Sequence, residues 1–355
     1  MNMVRKNKTK TTLGDFREKK SFHQEVPIII CKLSSAKTTE VYDSFWQFAC
    51  ERQNIFFSRV EGKQPPWTDD PILREYKFTN AYRASDRVSQ YLIKNVIYDG
   101  DQSPKEVFFR ILLFKIFNKI ETWELFKSNL GIINSADFTV KQYSSLLNDA
   151  MACGQRVYSA AYIMPSGGKS SLFKRKHEMH LSLLEQMLTD ELPARLVEVR
   201  SMGKAFDLLR SYRTIGDFLA YQFVTDINYS TLMNFSEMEF VVPGPGARDG
   251  IRKCFSDMGG LTEAEIVKLV TERQEAEFLR RDLNFRSLWG RPLQLIDCQN
   301  IFCEVDKYAR VYHPNSTGFS GRTRIKQKYR INTQHINYWY PPKWGLLGFT
   351  EKKFD

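Results

Sequence analysis

The chain has 355 residues, enough for one large domain or two ordinary ones, and its 42% hydrophobic and 14% aromatic content excludes general disorder. Lysine and arginine number 52 against 41 aspartate and glutamate residues, and the net charge of +11 favours a polyanionic partner. No apolar run has membrane-spanning length and the amino terminus lacks the apolar core of a secretory signal, so we expect a cytoplasmic protein that makes no membrane contact.

The first residues of the chain are strongly basic. Residues 1–20 carry seven lysine or arginine side chains against two acids, which predicts a flexible basic arm. Beyond the arm we expect a helical domain over residues 21–310. We expect a basic aromatic segment over residues 311–355 to pack on that domain or on the polyanionic partner.

The periodicity of apolar residues predicts a mainly α-helical fold with few strands. Apolar residues recur at three- and four-residue spacing over 38–60, 80–97, 104–126, 182–200 and 206–230. The third of these segments starts at a proline suited to a first helical turn and is apolar on nearly all faces, so it predicts a core helix. The last segment reads as a helix pair broken near Gly216. The stretch "RVYSAAYIMPSG" (156–167) predicts a short strand or an extended loop.

The stretch "FTNAYRASDRVSQYL" (78–92) contains a pair of arginines. On a helix, Arg83 and Arg87 lie one turn apart with Asp86 beside them. Two guanidiniums held by one carboxylate present a rigid fork to phosphate oxygens. The alternative is a purely structural network of salt bridges.

The stretch "MPSGGKSS" (164–171) resembles the phosphate-binding loop of nucleotide kinases. That loop requires a glycine five positions before its Gly-Lys pair, and Ile163 occupies this position. The sequence therefore argues against an ATP site of this kind, although Lys169 remains a candidate phosphate ligand.

The stretch "VVPGPGARDGIRKCF" (241–255) places two glycines around a proline before a basic helix. We expect Gly244 and Gly246 to adopt positive φ and to expose backbone N–H groups to a phosphate, with Arg248 in the helix that follows. The alternative is a tight connection between helices that binds no ligand.

An aspartate follows the apolar start of "LQLIDCQNIFCEVDKYARV" (293–311). Asp297 in such a place can be partly buried, which raises the pKa of its carboxyl toward a value useful for proton transfer. Gln299 and Asn300 carry amides able to read the edge of a base. The alternative role of Asp297 is to cap a helix.

The carboxyl-terminal region combines cations with aromatic rings. Residues 307–350 contain eight lysine or arginine residues and no acid, with nine aromatic side chains among them. Cations such as Arg322, Arg324 and Lys326 neutralise phosphates while aromatic faces stack on bases, so the mixture favours nucleic acid. The alternative is a segment whose rings pack on the core.

No metal site is predicted. The six cysteines form no Cys-x-x-Cys pair, and His177 and His180 lack a third ligand nearby.

The proline-glycine turn and the basic helix after it resemble the helix-hairpin-helix of DNA glycosylases. This resemblance implies a glycosylase-like helical architecture with the hairpin near 235–256. It also implies DNA phosphate contacts at the turn and a catalytic acid downstream, for which Asp297 is the candidate, while Glu263 or Glu265 fits the usual separation from the turn better.

Four further segments resemble a second family. "YKFTNAYRASDRVSQYLI", "LLFKIFNKIETW", "AAYIMPS" and "AYQFVTDINYS" occur in the order found in the α-glutamyl/putrescinyl-thymine pyrophosphorylases of bacteriophages, over about residues 40–310. That family is related to the helical domain of hydroxymethyluracil DNA kinases. The resemblance implies a transferase that replaces the pyrophosphate of 5-pyrophosphoryloxymethyluracil in DNA with an amino acid or putrescine, which protects viral DNA from restriction.

The resemblance also implies partners and roles. The partners are double-stranded DNA carrying the modified thymine, which must be flipped out, and a small amine or amino acid. No cofactor is needed, because the leaving group is already on the DNA. We expect Arg83 and Arg87, oriented by Asp86, to contact the pyrophosphate. Asp297 is the expected base, and Asp226 and Asp306 are held in reserve. A helix-hairpin-helix base-excision glycosylase and a non-catalytic DNA-binding accessory protein are the alternatives.

Overall fold

Helices account for most of the described chain, which confirms the predicted mainly α fold class. The structure, a computed structural model, describes residues 35–162, 164–166, 173–333 and 336–346. Within these ranges the strands are β1 (Lys37–Thr38) and β2 (Phe255–Asp257), which pair antiparallel. The α-helices of the same ranges are α1 Glu40–Val60, α2 Pro71–Glu75, α3 Arg87–Leu92, α4 Pro104–Phe117, α5 Ile120–Leu130, α6 Val140–Ala152, α7 Lys176–Thr189, α8 Leu192–Glu198, α9 Met202–Arg210, α10 Asp217–Ile227, α11 Pro245–Cys254, α12 Glu263–Glu272, α13 Gln274–Arg280 and α14 Leu295–Tyr312. The basic arm predicted at 1–20 lies outside the described residues.

The first long helix begins where its sequence provides a cap. The Thr39 hydroxyl accepts a hydrogen bond from the backbone N–H of Val41 at 3.2 Å, which satisfies a donor that has no partner inside the helix. Phe45 and Phe48, two residues of the apolar stripe, are buried. The helix predicted over 38–60 is confirmed as α1.

The predicted core helix ends earlier than its apolar pattern does. Helix α4 starts at Pro104 as expected, and its residues from Val107 to Phe117 are buried on every face. Asn118 then adopts a φ of 48° and donates its N–H to the carbonyl of Phe114 at 2.7 Å. The chain turns at this left-handed residue and resumes as α5. The segment 104–126 therefore forms two helices, because an apolar period does not report such a turn.

Two other predicted helices are interrupted in the same way. Over 80–97, a 3-10 turn at Arg83–Ser85 precedes α3 and a π-helical turn at Ile93–Ile97 follows it. Over 182–200, Glu191 with a φ of 52° separates α7 from α8. Both segments keep a continuous apolar pattern across these breaks, of which only the one at Glu191 is a reversal at positive φ.

The predicted helix pair over 206–230 is confirmed. Gly216 caps the start of α10, and α9 ends six residues before it, at Arg210. The stretch 156–167 contains no strand in its described residues and runs as an extended loop.

Helix α14 organises the second half of the fold. It packs against α1, α11 and α12, and it carries a long row of buried side chains. Its contact with α1 includes Phe45 and Phe302, whose ring centroids are 4.5 Å apart. Its contact with α11 includes a buried ion pair between Lys253 Nζ and Asp306 Oδ1 at 3.0 Å. These contacts fix the position of α11.

The described end of the chain, residues 336–346, packs against the turn before α3 and the loop after α10. Tyr340 is fully buried, and its hydroxyl lies 2.8 Å from Ser85 Oγ. The Lys343 ammonium donates to three backbone carbonyls in the loop after α10, those of Asn228, Ser230 and Met233. Among the described residues, no helix is long and apolar enough to cross a membrane.

Candidate functional site

A buried ion pair joins Arg83 to Asp226. Arg83 lies in the 3-10 turn before α3, and Asp226 lies near the end of α10. The guanidinium donates through Nη1 to Asp226 Oδ1 at 2.7 Å and through Nη2 to Oδ2 at 3.1 Å. Arg83 Nε donates to Gln222 Oε1 at 3.2 Å, one turn earlier on α10. The guanidinium is therefore held in one orientation by a two-pronged, charge-assisted contact.

A second cation shares the same carboxylate. Lys115 of α4 places Nζ 3.1 Å from Asp226 Oδ2 and donates to Asn118 Oδ1 at 2.9 Å. Burial lowers the pKa of Lys115 to about 8, although Asp226 opposes this shift. Burial alone would raise the pKa of Asp226, but Arg83 and Lys115 hold it below its usual value. Two buried cations thus face one buried anion, and the excess positive charge favours a further anion at this place.

Tyr162 covers the two cations. Lys115 Nζ lies 4.2 Å and Arg83 Cζ lies 5.8 Å from the centroid of its ring. The ring stacks in turn on Phe218 of α10, with centroids 5.9 Å apart. The electron-rich faces of these rings stabilise the cations. The candidate phosphate ligand Lys169, which follows Tyr162 in the chain, lies outside the described residues.

The Asp297 carboxylate contacts the backbone of Arg83. Asp297 Oδ1 accepts the backbone N–H of Arg83 at 2.8 Å, and Oδ2 accepts the backbone N–H of Gln294 at 3.0 Å. Asp297 is the third residue of α14 and forms a capping box with Gln294, which is the N-cap residue, so Asp297 helps to cap the helix without being the N-cap considered from sequence. Burial raises the pKa of Asp297 to about 7, and the two N–H donors oppose this shift. A carboxyl with this pKa exchanges protons near neutral pH.

The arginine fork predicted over 78–92 is not formed. The 3-10 turn ends at Ser85 and α3 starts only at Arg87, so Arg83 and Arg87 do not share a helical face. Arg83 is 2% exposed, whereas Arg87 is exposed to solvent. Asp86 accepts the backbone N–H of Asn80 at 2.8 Å. The guanidinium of Arg83 is oriented by Asp226, 143 residues away in the chain, and this partner replaces the expected one.

The two glycines of the proline-glycine turn have a role other than the expected one. Gly244 caps α11 with a φ of −72°, and Gly246 is likewise outside the left-handed region. A Cβ atom on Gly244 would lie 2.8 Å from Phe218 Cδ2, and one on Gly246 would lie 2.4 Å from Cys303 Sγ. The expectation of positive φ is therefore wrong. These positions require glycine because α11 packs too closely on its neighbours for a side chain.

The hairpin predicted near 235–256 is also different in the structure. Residues 228–244 connect α10 to α11 without a helix. The predicted hairpin range 235–256 therefore contains one α-helix, α11. The Arg248 guanidinium, on the first turns of α11, donates to the carbonyl of Pro243 at 3.2 Å. Its side chain is 51% exposed and lies 3.7 Å from Glu263. Arg248 is thus partly available to a solvent-side ligand.

The two amides predicted to read a base are not free at the surface. Gln299 is 5% exposed, and Asn300 donates to Thr79 Oγ1 at 2.9 Å. The cations Arg322, Arg324 and Lys326 instead lie fully at the surface, in the segment that follows α14.

Lys115, Gln222 and Tyr162 were not identified from sequence. Lys115 did carry a signal, because it interrupts the apolar run of α4 and a lysine inside a buried helix needs a charged partner. Gln222 and Tyr162 are neutral residues of types common in protein cores, so only tertiary contacts reveal them.

His180 on α7, one of the two histidines weighed as metal ligands, is buried. His180 Nδ1 lies 2.8 Å from the Tyr158 hydroxyl and Nε2 lies 2.9 Å from the carbonyl of Pro165, so both ring nitrogens are hydrogen-bonded. Burial lowers the pKa of His180 to about 4.

Comparison with known proteins gives the chain a family. The model of the 5-hmdU DNA kinase helical domain matches residues 39–318, which include every residue of the buried cluster. A 5-hmdU DNA kinase of Bacillus phage SP10 is 26% identical over 324 residues, covering 85% of this chain and 50% of the kinase. The chain thus spans about half the length of that relative. No solved structure matches it. The chain belongs to the family of the 5-hmdU DNA kinase helical domain.

Proposed function

We propose that this protein takes part in the hypermodification of thymine in phage DNA, as a transferase that replaces the pyrophosphate of 5-pyrophosphoryloxymethyluracil with an amine. The observation that carries the proposal is the buried pair of cations on one carboxylate. Arg83 and Lys115 exceed the charge of Asp226 by one, and a departing pyrophosphate is an anion that would balance this excess. The family match supports a substrate derived from 5-hydroxymethyluracil.

The reaction assigns a separate task to each group. The amine nitrogen attacks the exocyclic methylene carbon, a C–N bond forms, and the C–O bond to the pyrophosphate breaks with its electron pair leaving on oxygen. Lys115 has three N–H donors, of which Asp226 and Asn118 take two, and in the proposed reaction the third donates to the leaving group. Arg83 supplies fixed positive charge behind it.

Asp297 accepts the proton lost by the attacking amine. Its two oxygens already accept one backbone N–H each, and a carboxylate has lone pairs for a further proton. Asp226 is the weaker base because Arg83 and Lys115 hold its pKa low. With a pKa of about 7 for Asp297, the rate of the chemical step should rise with pH from about 6 to 8.

The kinase activity of the phage relative gives a second candidate. A 5-hmdU DNA kinase transfers a phosphoryl group to the hydroxymethyl base, and this chain resembles half of such a protein. Against this candidate, Ile163 replaces the first glycine of the nucleotide loop. Under either candidate the cation pair would hold a phosphoryl or pyrophosphoryl group on the base.

Nucleoside mass analysis separates these functions. The protein is incubated with duplex DNA containing 5-pyrophosphoryloxymethyluracil and a panel of glutamate, glycine and putrescine, and in parallel with 5-hydroxymethyluracil DNA and ATP. The transferase yields an amine-substituted thymidine in the first reaction only. A phosphorylated nucleoside in the second reaction supports the kinase, and an abasic site supports a glycosylase. Unchanged DNA in both reactions contradicts the transferase.

The base assignment has its own test. We expect Asp297→Asn to slow single-turnover pyrophosphate release by about two to four orders of magnitude, because the amide cannot accept the proton. Glu304→Gln is the matched control, since Glu304 is a buried carboxylate on the same helix that contacts the backbone of Thr79. Release at the wild-type rate by Asp297→Asn, with loss in Asp226→Asn, would move the base to Asp226.

A further inference from the structure

A phenylalanine projects into solvent beside the basic surface. Phe319 is 86% exposed, in the segment that follows α14. A single exposed apolar residue is ordinary on a protein surface and indicates nothing alone. Two properties of its surroundings, a fixed backbone and a cluster of arginines, distinguish this ring.

The backbone under Phe319 is fixed to the core. Gly321 donates its N–H to the carbonyl of Gly318 at 3.1 Å and closes a tight turn with Phe319 near its tip. Ser320 donates its N–H to Oδ1 of Asp249 at 3.2 Å, and Asp249 is a 3%-exposed residue of α11. A Cβ atom on Gly318 would lie 3.1 Å from Asp249 Cγ, so the turn rests directly on α11. The ring is therefore presented from a supported turn.

One arginine packs against the ring, and three more lie close to it along α11 or along the chain. The Arg252 guanidinium carbon lies 4.9 Å from the centroid of Phe319, and Arg248 is one turn earlier on α11. Arg322 and Arg324 follow the turn in the chain and are exposed. Glu263 contacts Arg252 at 3.0 Å and Arg248 at 3.7 Å, whereas no acid is shown in contact with Arg322 or Arg324 among the described residues. An exposed ring set in positive charge fits a ligand that has flat apolar faces between anionic groups.

We propose that Phe319 stacks on a base of the bound DNA while the arginines around it contact the flanking phosphates. The inference rests on the proposed function, which makes DNA the substrate. Helix α11 connects the two places, because Gly244 at its start packs on Phe218 beside the buried cations and Arg252 packs on Phe319. Eight residues separate Gly244 from Arg252, about 12 Å along a helix axis.

Binding to unmodified duplex DNA tests this role without any pyrophosphoryl group or amine. Affinity is measured by fluorescence anisotropy, and stacking is measured by quenching of 2-aminopurine placed at each position in turn. We expect Phe319→Ala to raise Kd by about 5- to 150-fold and to abolish quenching at one position, as loss of a base-stacking ring does. Phe319→Trp should keep both signals to within about threefold, since it retains a flat ring.

The matched control is Leu279→Ala. Leu279 is an 82%-exposed apolar residue of α13, and its replacement should leave Kd and quenching unchanged. Circular dichroism confirms that each variant is folded. A Phe319→Ala protein that binds and quenches like the wild type would overturn the stacking role while leaving the proposed function in place. A wild-type protein with no affinity for DNA would overturn both.

Discussion

Arg83 contacts both buried carboxylates of the candidate site, one through its backbone and the other through its side chain. Its N–H donates to Asp297 and its guanidinium donates to Asp226. The two acids consequently have opposite properties. Asp226 is paired with cations and stays ionised, whereas Asp297 has only dipolar partners and its burial raises the pKa to about 7. Environments that separate the pKa values of two acids in this way are typical of sites that combine charge stabilisation with proton transfer.

The raised pKa of Asp297 predicts a pH-dependent stability. Below pH 3.8, the ordinary pKa of aspartate, the Asp297 carboxyl is protonated in both the folded and the unfolded protein and does not affect stability. Between pH 3.8 and about 7, only the unfolded protein loses this proton. Asp297 therefore destabilises the fold as pH rises through this range, by about 2–4 kcal/mol in all. Because asparagine does not titrate, the stability lost in Asp297→Asn should be larger at pH 4.5 than at pH 7.5. Urea unfolding measures it; an identical loss at both pH values would contradict the buried, neutral state.

Removing Asp226 should destabilise the fold more than removing Lys115. Asp226→Ala leaves Arg83 and Lys115 buried without a counter-charge, and breaking a buried pair in this way costs about 3–5 kcal/mol. Lys115→Met removes the excess cation instead and keeps an apolar stem of similar length, so its cost should be below about 2 kcal/mol. Chemical denaturation of the two variants checks the order. The reverse order would show that Lys115 and Asp226 do not form the cluster described.

The sequence predicted which residues belong to the candidate site better than it predicted which of them contact each other. Arg83, Asp226 and Asp297 were each identified as candidates, and the structure brings all three together. The partner assigned to Arg83 was wrong, because it assumed a helix where a 3-10 turn directs the side chain inward. A charged residue's type and its local pattern indicate that it needs a partner; the partner's identity depends on contacts between distant segments of the chain.

The pairing of α11 with α14 depends on glycines at the contact. A Cβ atom on Gly250 would lie 2.0 Å from the backbone carbonyl oxygen of Phe302, which no side-chain rotation can relieve. Gly246 meets Cys303 one turn along the same contact. The helices therefore approach closely enough for the buried pair of Lys253 and Asp306 to form. Because α11 also supports the Phe319 turn, this packing positions the proposed DNA surface relative to the buried cluster.

Substituting Gly250 should destabilise the packing of α11 on α14. We expect Gly250→Ala to lower stability by about 3 kcal/mol or more, since overpacking against backbone exceeds the usual cost of about 1–3 kcal/mol. Gly216→Ala is the matched control, because Gly216 has open space around it and a φ of −86°. Thermal unfolding compares them. Equal melting temperatures would contradict the close approach of α11 and α14.

Helix locations could be predicted from sequence, but several of their ends could not. Apolar spacing and helix-starting residues such as Pro104 place α1, α4 and the pair α9 and α10 correctly. Asn118 and Glu191 break helices at positive φ, a conformation that asparagine adopts occasionally and glutamate rarely, so residue type does not predict these two breaks. Gly244 and Gly246 illustrate the converse, since their glycines serve interhelix contact and not a turn. Composition alone does not distinguish these two uses of glycine.

At the scale of the whole fold, two groups of cations in the described residues suit two parts of a DNA substrate. Arg83 and Lys115 are buried beside Asp226, whereas Arg322, Arg324 and Lys326 lie at the surface in the segment after α14. The buried cations are suited to one group of the substrate because their orientation is fixed. The exposed cations are suited to the repeating phosphates of a duplex, where long-range attraction speeds encounter and salt screens it.

This division predicts how salt affects DNA binding. Arg322, Arg324 and Lys326 are exposed, and replacing all three with glutamine removes up to three phosphate contacts. Each lost contact lowers the slope of log Kd against log salt by about 0.9, so the triple variant should show a slope smaller by up to about 3. The control replaces Lys105, Lys141 and Lys204, which are equally exposed but lie on α4, α6 and α9, away from this segment. Anisotropy titrations at salt concentrations from about 50 to about 200 mM give the slope of log Kd against log salt for each variant. The same reduction in both triple variants would mean that net charge alone, and not a defined basic surface after α14, governs binding.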